Sequence, residues 1–408
     1  MSQRPRLLFI SPRFLFPTDE GGKIRTASIL RGMKGGEFHI TLATPAPPGY
    51  QAHQAELDLV CDSLLTWPAP PVAQWRRVLA LAGRLPVGVA GDRSAAGCQV
   101  VARALADPPD VVVADFPHAA VLLPEALRVP GVMFTHNVEA EIFERHASLN
   151  KGLWGAVWRD QARKMADFEG AALRRFDTVI AVSQRDATAL GKRFGLARLA
   201  TIDTGVDLGF FRFHPPADMA APPPDGGTIG FTGVLDSPAN IDGVDFLMRE
   251  VWPLVARARP AARALMIGRR PAPALVEFAR EKNLPFTFTG FVDDIRPHVQ
   301  QAHLMVIPLR VGSGTRIKAF EAMAMGRPVV STRIGIEGLD IDAGEHFLAA
   351  DSAEDFAAAI LRLLDDAGLR TRLAGAARAR LEERFGWAQV ARQFEAICQA
   401  SIAGRRTS

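Results

Sequence analysis

The chain has 408 residues, 48% hydrophobic and 23% charged, with a formal net charge of +4. That length allows two domains, and the composition is ordinary for a soluble α/β protein. No apolar run approaches the roughly 18 residues of a bilayer span, which excludes a membrane-spanning chain. Cys61, Cys98 and Cys398 match no metal or redox spacing, which points to a reducing cytoplasm. The charge is uneven: residues 1–200 carry 24 Lys and Arg against 19 Asp and Glu, about +5, and the remainder about −1. A basic N-terminal half suits an anionic membrane surface as a partner. Nucleic acid is disfavoured, because the bases are scattered, Tyr occurs once and no recognition motif is present.

From the start, MSQRPRLLFISPRF has four apolar residues before Ser11 and Pro12, too short for a signal peptide and suited to a first core strand. Strands are expected at Leu7–Ser11, His39–Ala43, Val111–Asp115, Val132–Thr135, Thr178–Val182 and Ala200–Ile202. Helical patterns such as Ile24–Lys34, Ala95–Ala106 and Trp154–Arg174 lie between them. This alternation predicts a parallel, doubly wound sheet whose ligands bind at the carboxyl ends of the strands.

Several stretches fall at such ends. Asp19-Glu20-Gly21-Gly22-Lys23-Ile24-Arg25 follows the first strand and opens the first helix. Its two glycines allow backbone to approach a ligand near free helix amides. There is no GxGxxG, so the dinucleotide fingerprint is missing. Thr135-His136-Asn137-Val138-Glu139 places His136 just past another strand, and Val182-Ser183 ends a further one.

Residues 214–227, HPPADMAAPPPDGG, hold five prolines and two glycines without periodicity and read as a linker. The alternation then restarts with Thr228–Thr232, helix Ile241–Ala258, Ala264–Ile267, helix Ala272–Lys282, Phe286–Thr289, a helix near Arg296–Gln301 and Leu304–Pro308. Adjacent Asp293 and Asp294 read as a helix cap and not as a metal site. From Phe347 the chain reads as helical to its end.

Between these lies Val311–Thr332, VGSGTRIKAFEAMAMGRPVVST. It reads as a glycine-rich turn, a helix from about Arg316 to Met325 capped by Thr315 and stopped at Gly326, and a buried strand. Gly312, Ser313 and Gly314 can bring bare backbone to an anion at the helix N-terminus. Arg316 and Lys318 oppose that end of the helix dipole, which makes sense with a phosphate between them. Glu321, one turn on, suits ribose hydroxyls.

The run Phe320-Glu321-Ala322-Met323-Ala324-Met325-Gly326-Arg327-Pro328-Val329-Val330 resembles the second half of the donor-binding signature of GT-B retaining glycosyltransferases of family GT4. The run Gly-Ser-Gly-Thr-Arg-Ile-Lys resembles a GT4 subgroup with a GxGTRxK variant of that signature. Thr204-Gly205-Val206-Asp207 is similar to the Asn-Gly-Val-Asp that closes the first domain in the family. The resemblance implies a GT-B fold, α/β with two doubly wound Rossmann-like domains facing a central cleft. It implies an acceptor-side domain at 1–213, the linker at 214–227, a nucleotide-sugar-binding domain at 228–386, and a helix at 387–408 that packs back on the first domain.

By the same resemblance Glu321 holds the donor ribose. The amides of Gly312, Ser313, Gly314 and Thr315, with Arg316 and Lys318, take the diphosphate, and Phe291 in Thr289–Val292 packs on the base. Gly21, Gly22 and Gly233 approach the donor backbone-first. Lys23, Asn137 and Glu139 lie on the acceptor side, and His136 lies near the transferred sugar, giving His136, Arg316 and Lys318 as catalytic candidates. The chain departs from the family at three places. Ser313 replaces the first signature glutamate, Val234 replaces an arginine after Gly233, and Asn240 stands where a lysine is common. Positive charge must then come from Arg316, Lys318, Arg269 and Arg270.

No metal or other cofactor is expected. The implied activity is retaining transfer from a nucleotide-diphosphate sugar to a glycan or lipid-linked acceptor, in exopolysaccharide or surface glycan synthesis. Trp75-Arg76-Arg77 suggests a cytoplasmic protein peripheral to the inner face of the membrane. The alternatives are a nucleotide-sugar 2-epimerase of the same fold and a catalytically silent nucleotide-sugar-binding relative. A dehydrogenase is disfavoured by the missing glycine fingerprint.

Overall fold

A computed structural model describes residues 4–69, 74–214, 223, 225–311 and 316–406. The chain forms two compact units, Met1–Thr204 with Trp387–Ser408, and Gly205–Gly386.

In the first unit seven strands run parallel: β1 (Arg6–Ile10), β2 (His39–Ala46), β3 (Ser63–Pro68), β4 (Val111–Asp115), β5 (Gly131–Phe134), β6 (Thr178–Ala181) and β7 (Leu199–Thr201). Their order is β3-β2-β1-β4-β5-β6-β7. Apolar residues continue without alternation because both faces are covered. Leu7 and Phe9 enter one core layer with Val113 and Phe134, while Leu8 and Ile10 enter the other with Val112 and Met133. Strand β3 escaped the sequence reading because it is an edge strand in which only Trp67 is fully buried.

Helix Trp387–Arg406 completes this unit from the far end of the chain. Val390, Phe394 and Cys398 are fully buried against the face that carries Phe9 and Phe134, with the Phe134 and Phe394 rings edge-on at 5.2 Å. Thr178 and Ser401 hydroxyls meet at 2.7 Å, and Arg405 pairs with Asp177 at 3.1 Å.

The second unit holds six parallel strands: β8 (Thr228–Thr232), β9 (Arg263–Ile267), β10 (Phe286–Phe288), β11 (Leu304–Ile307), β12 (Val329–Ser331) and β13 (Leu348–Ala349). Their order is β10-β9-β8-β11-β12-β13. Ile229 and Phe231 face a layer with Trp252 and Phe356, and Ile267 and Ile307 face a second layer around Phe320 and Phe385.

Four details differ from the sequence expectation. The first unit ends at Thr204 and not at 213, because residues 205–213 belong to the second unit. There Val206 N donates to Phe385 O at 2.8 Å, and the Arg296 guanidinium stacks on Phe210 at 3.8 Å. The tail after Phe347 is not helical throughout: β13 comes first, and helices resume at Ala353. The helix expected at Ile241–Ala258 starts at Pro238 and contains a wide π turn over Leu247–Val251. Pro253 follows that turn and has no N–H to return to the preceding turn. Helix Arg296–Val299 is flanked by Ile295, with Asp294 one residue earlier accepting from Arg296 N at 2.9 Å. Most of the expected linker, residues 215–222 and 224, lies outside the described residues. Among the described residues no helix is long and apolar enough to cross a membrane.

Candidate functional sites in the two units

Each sheet reverses its winding once, at β1/β4 in the first unit and at β8/β11 in the second. Crevices at the carboxyl ends of such strands are where doubly wound sheets bind ligands.

In the second unit β8 runs out at Thr232 and Gly233. Gly233 N donates to Ile267 O at 3.0 Å, and Gly268 follows β9 with φ +153°. A side chain on Gly268 would fall 1.7 Å from Gly233 O, so the two backbones meet only because Gly268 has none. The space beside Gly233 is taken by Lys318 and Asn240: a Cβ there would stand 3.1 Å from Lys318 Nζ and 2.8 Å from Asn240 Nδ2. Lys318 Nζ donates to Asn240 Oδ1 at 2.9 Å and lies over the Phe231 ring at 4.4 Å. Asn240 is fixed in turn by donating to Val234 O at 2.8 Å.

Lys318 therefore reaches from the signature helix to the end of β8. Burial is the first cause that brings its pKa down to about 8, with the neighbouring Arg316 charge adding to the shift and Glu321 opposing it. Burial also raises the Glu321 carboxyl above its ordinary range, with Lys318 pulling it back. Lys318 pairs with Asn240, and no ion pair joins it to Glu321 among the described residues.

The signature helix begins at Ile317, with Arg316 as the cap residue in a non-helical conformation. This moves the start one residue beyond the expected Thr315 cap. The Arg316 side chain turns back, its Nε donating to Ile334 O at 3.2 Å. Gly312, Ser313, Gly314 and Thr315 lie outside the described residues. Arg270 pairs with Asp236 at 2.9 Å. Arg269 is exposed and makes no ion pair among the described residues. Phe291 is 73% exposed beyond β10, an open aromatic face.

In the first unit Gly21 and Gly22 open helix Gly21–Met33, whose preceding residue, Glu20, makes no side-chain cap. The first amides are thus left for a ligand. Gly22 packs on the Phe116 ring, where a Cβ would stand 2.6 Å from Cζ. Phe116 holds a left-handed φ of +64° just past β4 and stacks on His136 at 3.9 Å. Lys23 Nζ pairs back to Asp19 at 2.8 Å.

His136 is 3% exposed, and both ring nitrogens are taken. Arg25 donates to Nδ1 at 3.2 Å, so Nδ1 carries no proton. Nε2–H then donates to Asp115 Oδ1 at 2.7 Å. Thr26 donates to the same carboxylate at 3.1 Å, Ser11 Oγ lies 3.0 Å from its other oxygen, and Arg25 also donates to Thr204 Oγ1 at 3.1 Å. Burial holds the His136 pKa down and brings Arg25 to about 10. His136 is thus a fixed member of a buried network tying β1, β4, β5 and the first helix together. Asn137 is exposed. Glu139 opens helix Glu139–Leu149, and burial raises its carboxyl pKa. Glu169, fully buried, accepts from Glu139 N and Ala140 N, both at 2.9 Å. Ser183 caps the next helix by accepting from Asp186 N at 3.0 Å.

The sequence reading missed Arg25, Thr26, Asp115, His118 and Glu169. Asp115 had a signal, a lone carboxylate ending the apolar run Val111–Ala114 at a carboxyl end. The others became visible only as partners. Asp342, Glu345 and His346 also come together, but His346 Nδ1 already accepts from Asp342 N at 2.9 Å in an exposed turn.

Two parallel doubly wound units with a site at each winding reversal define the GT-B class. Residues 21–210 match the family described as Glycosyltransferase Family 4, and residues 226–366 match that described as Glycosyl transferases group 1. Together these two matches span most of the chain and support a GT4-like glycosyltransferase of the GT-B class. It is 28% identical over 251 residues to D-inositol 3-phosphate glycosyltransferase 2 of Catenulispora acidiphila, covering 55% of this chain and 56% of that protein. It is 26% identical over 311 residues to glycogen synthase of Mycobacterium tuberculosis, covering 73% and 70%. The chain thus spans little more than half the length of the first of these. Among solved structures, sucrose-phosphate synthase from Thermosynechococcus elongatus superposes with a TM-score of 0.66 at 19% identity, covering 98% of this chain and 100% of that one. HepE of Anabaena, solved with UDP and glucose, gives 0.63 at 18% identity, covering 97% and 99%. At these identities the structural likeness speaks for the fold.

Proposed function

We propose that the protein is a metal-independent, retaining glycosyltransferase that uses a nucleotide-diphosphate sugar. Donor binding belongs to the second unit and acceptor binding to the first. The observation that carries this reading is the group of Gly233, Lys318, Asn240 and Glu321 at the end of β8. A partly buried amine whose only hydrogen-bond partner among the described residues is a neutral amide is set to take a diphosphate oxygen. The nearby carboxyl suits ribose hydroxyls. HepE, solved with UDP and with UDP-glucose, has the same fold and supports this class of donor.

In this mechanism the acceptor hydroxyl oxygen bonds to the anomeric carbon on the face from which the diphosphate departs. The anomeric C–O bond breaks with its electron pair going to the diphosphate, and the hydroxyl proton passes to a phosphate oxygen. No enzyme carboxylate acts as nucleophile. Lys318 and Arg316, with the amides of Gly312–Gly314, stabilise the leaving charge. His136 acts by position: its fixed ring supports Phe116, on which Gly22 packs. The exopolysaccharide or surface-glycan role, and attachment to an anionic membrane, belong to this proposal. The basic N-terminal half and Trp75-Arg76-Arg77, in helix Gln74–Leu81, motivate them.

The test is release of free nucleoside diphosphate from UDP-, GDP- and ADP-sugars, with and without short glycan and lipid-linked acceptors. Release from one donor, stimulated by acceptor and lost in Glu321→Ala, is expected. Donor binding without release under every acceptor overturns the reading in favour of a silent relative, and donor conversion without acceptor overturns it in favour of an epimerase.

A further inference from the structure

A second constellation stands in the first unit, separate from the buried His136 network. His118 lies just past β4, in the short 3-10 helix Pro117–Leu122, and is 7% exposed. Its Nδ1 lies 2.7 Å from Asp92 Oδ2, at the end of the short helix Val87–Asp92. The carboxylate accepts only, so Nδ1 is the nitrogen that donates to it and Nε2 is the one left for a second partner. That Nε2 is out of contact with solvent and has no hydrogen-bond partner among the described residues. Buried polar atoms without partners are uncommon in folded proteins and point to a missing group. The ring edge is lightly covered: Gly88 lies over it, and even a Cβ there would stand 3.6 Å from Cε1.

The surroundings restrict what the missing group is. Glu139, just past β5, has its carboxyl pKa raised by burial, with the charges of His118 and Arg13 and a hydrogen bond from Asn137 acting to lower it. Arg13, just past β1, is committed to Glu20 at 3.6 Å. The site therefore sets the open nitrogen of His118 beside two carboxyl groups, those of Asp92 and Glu139. Such a site takes neutral hydroxyl groups and repels phosphate. Its parts converge from the carboxyl ends of β1, β4 and β5, where a doubly wound sheet holds ligands.

We infer that His118, oriented by Asp92 and flanked by Glu139, is an acceptor subsite that receives a sugar hydroxyl on Nε2, so that the acceptor presents a neutral carbohydrate ring here and not a phosphate. This rests on the transferase reading only in calling the bound ring an acceptor. Asp92 is a positioning residue: it holds Nδ1 and so turns Nε2 toward the ligand.

The test uses the full chain labelled with 15N-histidine. Ring-nitrogen spectra are recorded with methyl glycosides of glucose, galactose and mannose, and separately with inorganic phosphate and glycerol 3-phosphate. His118→Gln assigns the resonance. The expected result is a His118 Nε2 signal that moves with at least one glycoside and with neither phosphate compound. Asp92→Asn should redistribute the tautomers and weaken that response. Where transfer is measurable, His118→Gln and Asp92→Asn should raise the acceptor KM about tenfold or more with a smaller fall in kcat. No response to any glycoside, a response to phosphate instead, or an unchanged acceptor KM in His118→Gln overturns the inference. The ring-nitrogen response needs no turnover, so failure of the transferase reading shows separately as absence of diphosphate release.

Discussion

The buried amine of Lys318 is where this protein's donor chemistry can be tested most directly. With its pKa lowered to about 8, the free protein loses this charge as pH rises through that value. A diphosphate binds the charged form, so UDP affinity, measured by calorimetry, should fall about tenfold per pH unit above pH 8 and be level below it. Lys318→Met should remove the pH dependence and weaken UDP by about 1.5–3 kcal/mol, the range for a hydrogen bond to a charged group. His136 calls for a different measurement. Removing its ring leaves the buried Asp115 carboxylate without its 2.7 Å donor. His136→Ala should therefore cost about 2–4 kcal/mol in urea unfolding, beyond any effect on rate. Gly22→Ala drives a methyl into the Phe116 ring and should cost about 1–3 kcal/mol by overpacking.

At the level of elements, the helix opened by Glu139 is held by a carboxylate from the helix Gly152–Leu173. Burial raises Glu169 to about 7, against the two amide bonds that favour its ionised form. Between about pH 4.5 and 7 the folded chain holds a proton there that the unfolded chain has released. Stability contributed by this group is therefore fully present below about pH 4.5 and lost as pH rises through 7, by up to roughly 3 kcal/mol. Urea midpoints at pH 5 and pH 7.5 should show this loss, and Glu169→Gln should flatten it. The same pair of helices shows how an element's sequence signal differs from its function. The apolar pattern of Trp154–Arg174 predicted a helix ending within a residue of the observed one. Nothing in that pattern marked Glu169 as the cap of another helix, because its partners lie about 30 residues earlier in the chain.

For the molecule as a whole, the two units differ in how their cores are assembled. The core layers of the second unit come entirely from residues 205–386. A fragment of those residues should unfold cooperatively by circular dichroism. Residues 1–204 alone lack Val390, Phe394 and Cys398 and should not, until a 387–408 peptide is added. In the full chain Phe394→Ala should cost about 3–5 kcal/mol.

Local chemistry was enough to place most strands, the doubly wound class, the signature helix and the turn of Gly21 and Gly22. Apolar periodicity, glycine and capping residues act over a few neighbours and can be read in order along the chain. Other features depended on contacts between distant segments. Lys318 stands beside Gly233 because a helix from one part of the chain meets a strand end about 85 residues earlier. His136 became an interior residue and His118 an unpartnered one through partners on other strands and helices, which no pattern around either histidine encodes. Burial, hydrogen-bond partners and pKa follow from the whole neighbourhood of a side chain, and that neighbourhood exists only once the sheets have formed.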